Sequence, residues 1–182
     1  MTKTKEGIRK EVVLGEKVTV QLNNGALKIK GPKGEVERNF THPIVALSIE
    51  NGKVVLVAKK STKTQKMILN TFASHIKNMV DGVIEPFVYK MKVCSGHFPI
   101  TVSMSGNEFI IKNFFGETVP RKTTLPKAAE VKIAGADITI TSPDLEAAGL
   151  AASKIETAFR ITKRDIRIFQ DGGYITQKPE RR

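Results

Sequence analysis

The sequence predicts an α+β protein made of two tandem similar domains, each an antiparallel sheet packed with one helix. Three observations support this fold class. The chain of 182 residues repeats one pattern of apolar residues and turns in its two halves. Within each half, alternating apolar residues bounded by turn-forming pairs indicate hairpins. A single segment of helical periodicity follows those hairpins in both halves.

The internal repeat is visible in two pairs of segments. Residues 18–35 (VTVQLNNGALKIKGPKGE) match residues 100–117 (ITVSMSGNEFIIKNFFGE) at a constant offset of 82. Residues 45–58 match residues 130–142 at an offset of 84, which indicates a two-residue insertion in the intervening loop. Self-similarity of this kind predicts that the two domains arose by duplication.

The predicted domain boundary lies in the sequence DGVIEPF (residues 81–87), which has no periodicity and contains Gly and Pro. We therefore predict a first α+β repeat over residues 1–81. The second repeat is predicted over residues 82–182 and ends in a basic C-terminal extension.

Alternation of apolar and polar residues predicts half-buried strands. In the first repeat, Val18, Val20 and Leu22 alternate before the pair Asn24-Gly25. Both central positions of a two-residue hairpin turn favour positive φ, which Asn and Gly tolerate best. Turn pairs at comparable places are Asn51-Gly52, Gly106-Asn107 and Gly135-Ala136.

Two segments space their apolar residues three and four positions apart, as on one face of a helix. The first comprises Leu69, Phe72, Ile76 and Val80, and the second comprises Leu145, Ala148, Ala152, Ile155 and Phe159. For the second helix we predict Ser142 as the N-cap and Pro143 as the first helical residue.

The composition favours a polyanionic partner. Thirty Lys and Arg residues against eighteen Asp and Glu residues give a net charge of +12 and a pI near 9.9. Such an excess is typical of proteins that bind nucleic acid. No stretch approaches the ~20 apolar residues of a membrane helix. The second predicted helix is Ala-rich and nearly neutral, so we expect no membrane partner.

We expect a cytoplasmic protein without enzymatic activity. The N-terminal sequence MTKTKEGIRK lacks the apolar core of a secretory signal, and Cys94 is the single cysteine. Cys94 and His97 lie three apart, but a zinc site needs four ligands, so we expect a buried cysteine beside a structural histidine. His75 is expected to pack on the first helix. No residue pattern indicates a catalytic site or a cofactor.

The sequence GPKGE (residues 31–35) lacks the glycine, lysine and hydroxyl spacing of a phosphate-binding loop and lies between strands. We therefore predict a tight turn. Such a turn is also compatible with offering Lys33 to an RNA phosphate.

The positive charge of the second repeat is concentrated at its end. Residues 82–159 contain eight basic and eight acidic residues, whereas residues 160–182 contain seven basic and three acidic ones. In RDIRIF (residues 164–169) a strand would place Ile166 and Ile168 on one face and Arg167 and Phe169 on the other. We further predict a turn at Asp171-Gly172. The alternative is an edge strand that charge protects from aggregation.

Several motifs of the sequence resemble those of the large-subunit ribosomal protein six family, in its archaeal and eukaryotic branch. The resemblance covers essentially the whole chain and includes RDIRIFQDGGYITQK near the C-terminus. Further similar stretches are HFPI, NFFGE with Arg121, GPKGEVERNF and SHIKNMVDGV. Two residues depart from the family pattern: Gly173 replaces an aliphatic residue, and Thr157 replaces Gln. The first departure puts the packing around Gly173 in question.

The resemblance implies two similar α+β domains and a structural role in the large ribosomal subunit. It implies binding to large-subunit rRNA near the sarcin–ricin loop and the stalk base, beside neighbouring ribosomal proteins and translational GTPases. The alternative is a free-standing cytosolic RNA-binding chaperone or adaptor. The candidate RNA-binding residues are Lys163, Arg164, Arg167 and Lys178, then Arg181 and Arg182, then Arg121, Lys122 and Lys112, and, mainly through the resemblance, His97.

Overall fold

A computed structural model describes residues 7–15, 18–50 and 52–180. Over these ranges the chain forms antiparallel strands and two α-helices, which confirms the α+β class. Two compact units divide the chain, Met1–Pro86 (unit 1) and Phe87–Arg182 (unit 2). The division after Pro86 lies within the predicted boundary segment 81–87, and the first helix continues to Ile84. Neither helix among the described residues is long and apolar enough to cross a membrane.

Unit 1 contains two three-stranded antiparallel sheets, ordered β1-β6-β5 and β2-β3-β4, and one helix. The elements are β1 (Ile8–Val13), β2 (Thr19–Asn23), β3 (Ala26–Gly31), β4 (Gly34–Asn39), β5 (Val45–Glu50), β6 (Lys53–Ala58) and α1 (Lys63–Ile84). Helix α1 contacts strands of both sheets, and the buried side chains of the unit form one hydrophobic cluster. The strands are thus divided over two sheets, where the sequence suggested one.

Unit 2 repeats this arrangement and adds one strand. Its sheets are ordered β10-β9-β8 and β11-β12-β7-β13. The elements are β7 (Phe87–Cys94), β8 (Thr101–Ser105), β9 (Glu108–Lys112), β10 (Arg121–Thr124), β11 (Glu130–Ala134), β12 (Asp137–Ser142), α2 (Leu145–Ala158) and β13 (Gly172–Gln177). The last strand pairs with β7 and has no counterpart in unit 1.

The repeat holds at the level of strand register. Thr19 lies opposite Lys30 in unit 1, and Thr101 lies opposite Lys112 in unit 2, at the same offset of 82. The segment after β9 differs, because Gly116 and the residues before it form a 3-10 turn, whereas the matching Gly34 begins β4. The two-residue pairs form the predicted hairpin turns, with positive φ at Asn24 (47°) and at glycines 25, 52, 106 and 135. Asn51 lies outside the described residues.

The helices bury the predicted faces. In α1, Leu69, Ile76 and Val80 are buried and Phe72 is partly buried. In α2, Ala148, Ala151, Ala152 and Ile155 are completely buried. Three alanines in one buried stripe let the helix backbone approach the sheet closely. Full burial of an isoleucine side chain contributes about 1.5–3 kcal/mol.

The N-cap of α2 is Asp144, not Ser142. The Asp144 carboxylate accepts the Glu146 backbone N–H at 3.0 Å, which satisfies a free donor at the helix start. Ser142 is the last residue of β12. Its hydroxyl donates to the Ala128 carbonyl at 2.8 Å and accepts the Asp144 N–H at 3.1 Å. These bonds occupy the Ser142 side chain before the helix begins.

The GPKGE sequence forms the predicted tight turn between β3 and β4. The Lys33 backbone N–H donates to the Val83 carbonyl at 3.0 Å, so the turn packs on the end of α1. A Cβ atom at Gly31 would lie 2.7 Å from the Val83 side chain, and only glycine permits that approach. The turn is therefore a structural element of unit 1.

Candidate RNA-binding surface

The charged segment after α2, residues 160–171, is here called the basic loop. It is not the predicted strand: Lys163 has a left-handed backbone with φ of 59°, and residues 166–168 form a turn. The Asp165 side chain accepts the Arg167 backbone N–H at 3.0 Å, and the Asp165 backbone carbonyl accepts the Phe169 N–H at 2.9 Å. These bonds close a local turn that competes with extended backbone.

The side chains of this segment do not divide into the two faces of the predicted strand, because Arg167 and both isoleucines are exposed and Phe169 is not. Ile166 is 68% exposed and Ile168 is 67% exposed, whereas Phe169 is half-buried. The aromatic residue, not the isoleucines, therefore attaches the loop to unit 2. The edge-strand alternative is also wrong for this segment, because residues 164–169 form no strand.

Asp171 is a buried acceptor rather than part of a turn. Its side chain is almost fully buried and accepts the backbone N–H of Gly96 at 2.8 Å and that of His97 at 3.0 Å. The Nδ1 atom of His97 lies 3.1 Å from the same carboxylate. Burial opposes ionisation, but the hydrogen bonds from His97 and Gly96 outweigh it and lower the pKa of Asp171. This carboxylate fixes the end of the basic loop to the β7–β8 connection.

A second contact fixes the middle of the loop. The Arg164 guanidinium lies 4.9 Å from the ring centroid of Phe115 and 4.9 Å from that of Phe169. The His97 ring lies 5.0 Å from Phe169. We call His97, Phe115, Arg164 and Phe169 the Arg164 cluster. Stacking of a guanidinium on aromatic faces stabilises by about 0.5–1 kcal/mol at exposed sites.

Arg121 lies at the base of the loop and is bound to it. Its Nε donates to Glu117 at 2.8 Å, and its Nη1 donates to the carbonyls of Ala158 and Arg160 at 3.0 and 2.9 Å. The guanidinium also stacks on Phe114, 4.4 Å from the ring centroid. The hydrogen bond from Arg121 lowers the pKa of Glu117. Arg121 therefore caps the C-terminal end of α2 and orients the first loop residue.

Among the other candidate cations, Arg167 is strongly exposed, with 86% of its side chain accessible. Its Nη2 lies 2.7 Å from the Asp165 carboxylate, which lowers the pKa of Asp165 and raises that of Arg167. Lys112, Lys122, Lys163 and Lys178 are exposed and have no side-chain partner within the described part of the chain. Arg181 and Arg182 lie outside the described residues.

The structure places some of the candidate RNA-binding residues together in the basic loop and the others on separate elements of unit 2. Lys163, Arg164 and Arg167 share the basic loop, and His97 and Arg121 support it. Lys112 ends β9, Lys122 lies in β10, and Lys178 follows β13. Cys94, expected to be buried, is exposed at the end of β7.

Comparison with known proteins identifies the family. The sequence pattern of the family described as Ribosomal protein L6 matches residues 14–85. The Large ribosomal subunit protein uL6 of Nanoarchaeum equitans is 43% identical over 179 residues, covering 94% of this chain and 93% of that protein. The uL6 proteins of Methanosarcina mazei and Haloarcula marismortui are 40% and 38% identical, each covering at least 94% of this chain and 97% of their own length. The chain belongs to the uL6 family.

Both departures of this uL6 chain from the expected pattern line one groove, which we call the loop groove. It measures about 490 Å³ and lies between the end of α2, the basic loop and the start of β13. A Cβ atom at Gly173 would lie 2.4 Å from the Phe159 ring. Phe159 therefore fills the space of the missing side chain, which answers the question about packing at Gly173.

Three residues that organise the uL6 loop were not assigned a role from the sequence. Phe115 and Phe169 hold Arg164, and Asp171 holds the loop end. Their partners lie far away along the chain: Asp171 and Gly96 are 75 residues apart. The sequence signal that could have found them is the pairing of NFFGE with the C-terminal motif, which only a comparison of relatives would reveal.

Proposed function

We propose that this chain is a structural constituent of the cytoplasmic large ribosomal subunit and binds large-subunit rRNA through the basic loop. The relatives that cover almost the whole chain are named as large-subunit proteins, which supports a structural role and not an enzymatic one. In this proposal no residue of the basic loop takes part in catalysis. The loop acts by binding and by fixing the shape of folded RNA.

One observation carries the proposal. The excess positive charge of unit 2 follows α2, beginning in a loop that is held in a fixed shape. Asp171 fixes its end, Arg164 fixes its middle, and Arg121 fixes its start. A cationic segment that is already ordered loses less conformational freedom when it binds, so more of its interaction energy appears as affinity.

The chemistry of the loop suits phosphates. Lysine and arginine side chains that neutralise phosphates release counterions, which provides affinity without sequence preference. Among the described residues, the Arg167 guanidinium is held by an exposed ion pair with Asp165, and exposed ion pairs are weak. Its guanidinium can therefore exchange Asp165 for the two oxygens of a phosphate.

We place the contact near the sarcin–ricin loop and the stalk base, beside neighbouring ribosomal proteins and translational GTPases. The family membership and the loop motif support this placement. Ultraviolet crosslinking of the intact subunit tests it. Peptides spanning residues 160–178 should carry nucleotides from the sarcin–ricin region, whereas peptides of β11 should not. Crosslinks of the loop only to other rRNA regions would exclude this placement.

Sedimentation tests the structural role against a free-standing RNA chaperone or adaptor. An affinity-tagged chain expressed in cells should travel with the large subunit through a moderate salt wash. A tagged basic control protein of similar size and pI measures adventitious binding. Recovery of the chain mainly in the free fraction, at the level of that control, would favour the chaperone or adaptor.

A further inference from the structure

We propose that the loop groove receives one unpaired nucleobase of the bound RNA, with guanine preferred. The inference rests on the proposed function and adds a base-specific site to it. The groove lies in unit 2, and its lining combines apolar side chains, a flat backbone wall and three polar groups. That combination is typical of sites for flat heterocycles.

The apolar part of the groove fits a planar ring. Its volume of about 490 Å³ falls in the usual range for small-molecule sites. Ile161 and Ile166 contribute aliphatic side chains, and Gly172 and Gly173 form a wall without side chains. Ile166 is 68% exposed, so its side chain is accessible to a partner at the edge of the groove.

Tyr174 provides a stacking surface. The residue is 45% exposed, and its hydroxyl donates to the Gln170 carbonyl at 3.0 Å. This bond holds the ring beside Gly172, where a Cβ atom would lie 3.3 Å from the phenol oxygen. Fixed, partly exposed aromatic rings bind unstacked bases in many single-strand binding proteins.

The polar groups select a nucleobase over an apolar protein side chain. Glu156, Thr157 and Arg160 line the groove, and no other described residue bonds their side chains. An apolar side chain in the groove would bury these groups without partners, which is unfavourable. Guanine instead offers N1–H and N2–H₂ side by side to the Glu156 carboxylate, and Arg160 can bind its phosphate. The carboxylate also disfavours a bare phosphate at the same place.

The test uses the complete chain labelled with 3-fluorotyrosine. The sequence contains two tyrosines and no tryptophan, so fluorine NMR gives one signal from Tyr174 in the groove and one from Tyr89 as an internal reference. The probes are the pentaribonucleotides UUGUU and UUUUU. We expect UUGUU to shift the Tyr174 signal saturably and to bind at least threefold more tightly than UUUUU. The Tyr89 signal should stay unchanged.

Matched variants assign the effect to the groove. Ile166 and Ile168 are equally exposed and two residues apart, but only Ile166 lines the groove. Ile166→Ala should weaken UUGUU binding about fivefold and Ile168→Ala less than twofold. Glu156→Gln should bring the ratio of UUGUU to UUUUU affinity close to one. Thr157→Phe, which fills the groove from an exposed position, should abolish the Tyr174 shift and keeps the test valid if Ile166→Ala unfolds.

Three results would overturn the inference: an unmoved Tyr174 signal, equal losses in the two isoleucine variants, or an unchanged base preference in Glu156→Gln. The unchanged Tyr89 signal and thermal melt show that a variant is folded. Failure of the groove leaves the proposed function standing if the chain still sediments with the large subunit and crosslinks through the basic loop. Failure of sedimentation instead removes the proposed function itself.

Discussion

The two units share strand register but distribute positive charge differently. In unit 1, basic residues of the sheets pair with acidic ones: Arg9 with Glu50 at 2.9 Å, and Lys53 with Glu11 at 3.2 Å. Its lysines without a side-chain partner among the described residues include four at the start of α1, namely Lys59, Lys60, Lys63 and Lys66. In unit 2, residues 87–159 contain eight basic and seven acidic residues, and most of the excess positive charge follows α2.

The comparison distinguishes the residues that form the repeated fold from the basic loop, which we propose to bind RNA. Apolar alternation and turn residues recur in both units because both must bury the same kind of core. Among the described residues of unit 1 the basic loop and β13 have no counterpart. The charged addition to unit 2 would concentrate the proposed RNA binding at one surface, whereas the charge of unit 1 is carried by its sheets and by the segment around the start of its helix.

The largest expected effect is on rRNA affinity, and it tests the difference between the two units directly. Replacing Lys163 and Arg167 with Glu should lower affinity for large-subunit rRNA about 100-fold, because two attractive charges become repulsive. The matched change of Lys59 and Lys60 to Glu in unit 1 alters the net charge equally and should cost less than threefold. Filter binding over a salt series measures both.

A second quantity from the same salt series sharpens the result. Each lost phosphate contact should reduce the slope of log affinity against log salt by about 1. The slope should fall for the loop variant and stay constant for the unit 1 variant. Equal losses in both variants would mean that binding follows net charge and that the loop has no special part.

The next effect concerns the stability of unit 2. Gly173→Ala places a Cβ atom 2.4 Å from Phe159 and should lower the free energy of unfolding by about 1–3 kcal/mol. Gly172→Ala meets its nearest neighbour at 3.3 Å and should cost less. Phe159→Leu should make the Gly173→Ala change less costly than in the parent chain. Urea unfolding of the four variants measures this coupling, and additive effects would show that the two residues do not compete for space.

The third prediction concerns Asp171. Asp171→Asn keeps the shape but cannot accept from both N–H groups as strongly, so the loop loosens and rRNA affinity should fall about tenfold. The folded-state pKa of Asp171 is lowered, so its stabilisation is present above the unfolded pKa near about 3.9 and is lost as pH falls through the folded pKa. Unfolding curves should therefore depend less on pH below about 4 in the variant than in the parent chain. An unchanged acid dependence would contradict the buried, hydrogen-bonded carboxylate of Asp171.

The smallest effect is expected at Arg121. Arg121→Lys retains the charge but cannot reach Glu117 and the carbonyls of Ala158 and Arg160 together. We expect a loss of about 1 kcal/mol in the free energy of unfolding and less than threefold in rRNA affinity. A large loss of affinity with unchanged stability would show instead that Arg121 contacts RNA.

The fold was largely predictable because its signals are local. Asn24-Gly25 requires only the two residues of the turn, and the Leu69, Phe72 and Ile76 stripe requires only helical spacing. The N-cap of α2 was misplaced by two residues, because Ser142 and Asp144 are both good caps and the difference lies in the Ser142 bond to Ala128.

The basic loop was predictable in charge but not in shape. Alternating isoleucines suggested a strand, yet the Asp165 side chain closes a turn and exposes both of them. The shape depends on Asp171 and Arg164, whose partners belong to other elements of unit 2. No local pattern encodes such contacts, so sequence periodicity could identify the cations but not how they are presented.

The bond from Gly96 to Asp171 has a consequence for the order of events during synthesis. It joins residues 75 apart, so it cannot form until almost all of unit 2 has left the ribosome that makes it. Unit 1 can complete its sheets and helix before that moment. The proposed binding surface therefore takes shape late, and a product truncated before Asp171 lacks this bond. Assembly into a particle through this loop would thereby select complete, correctly folded chains.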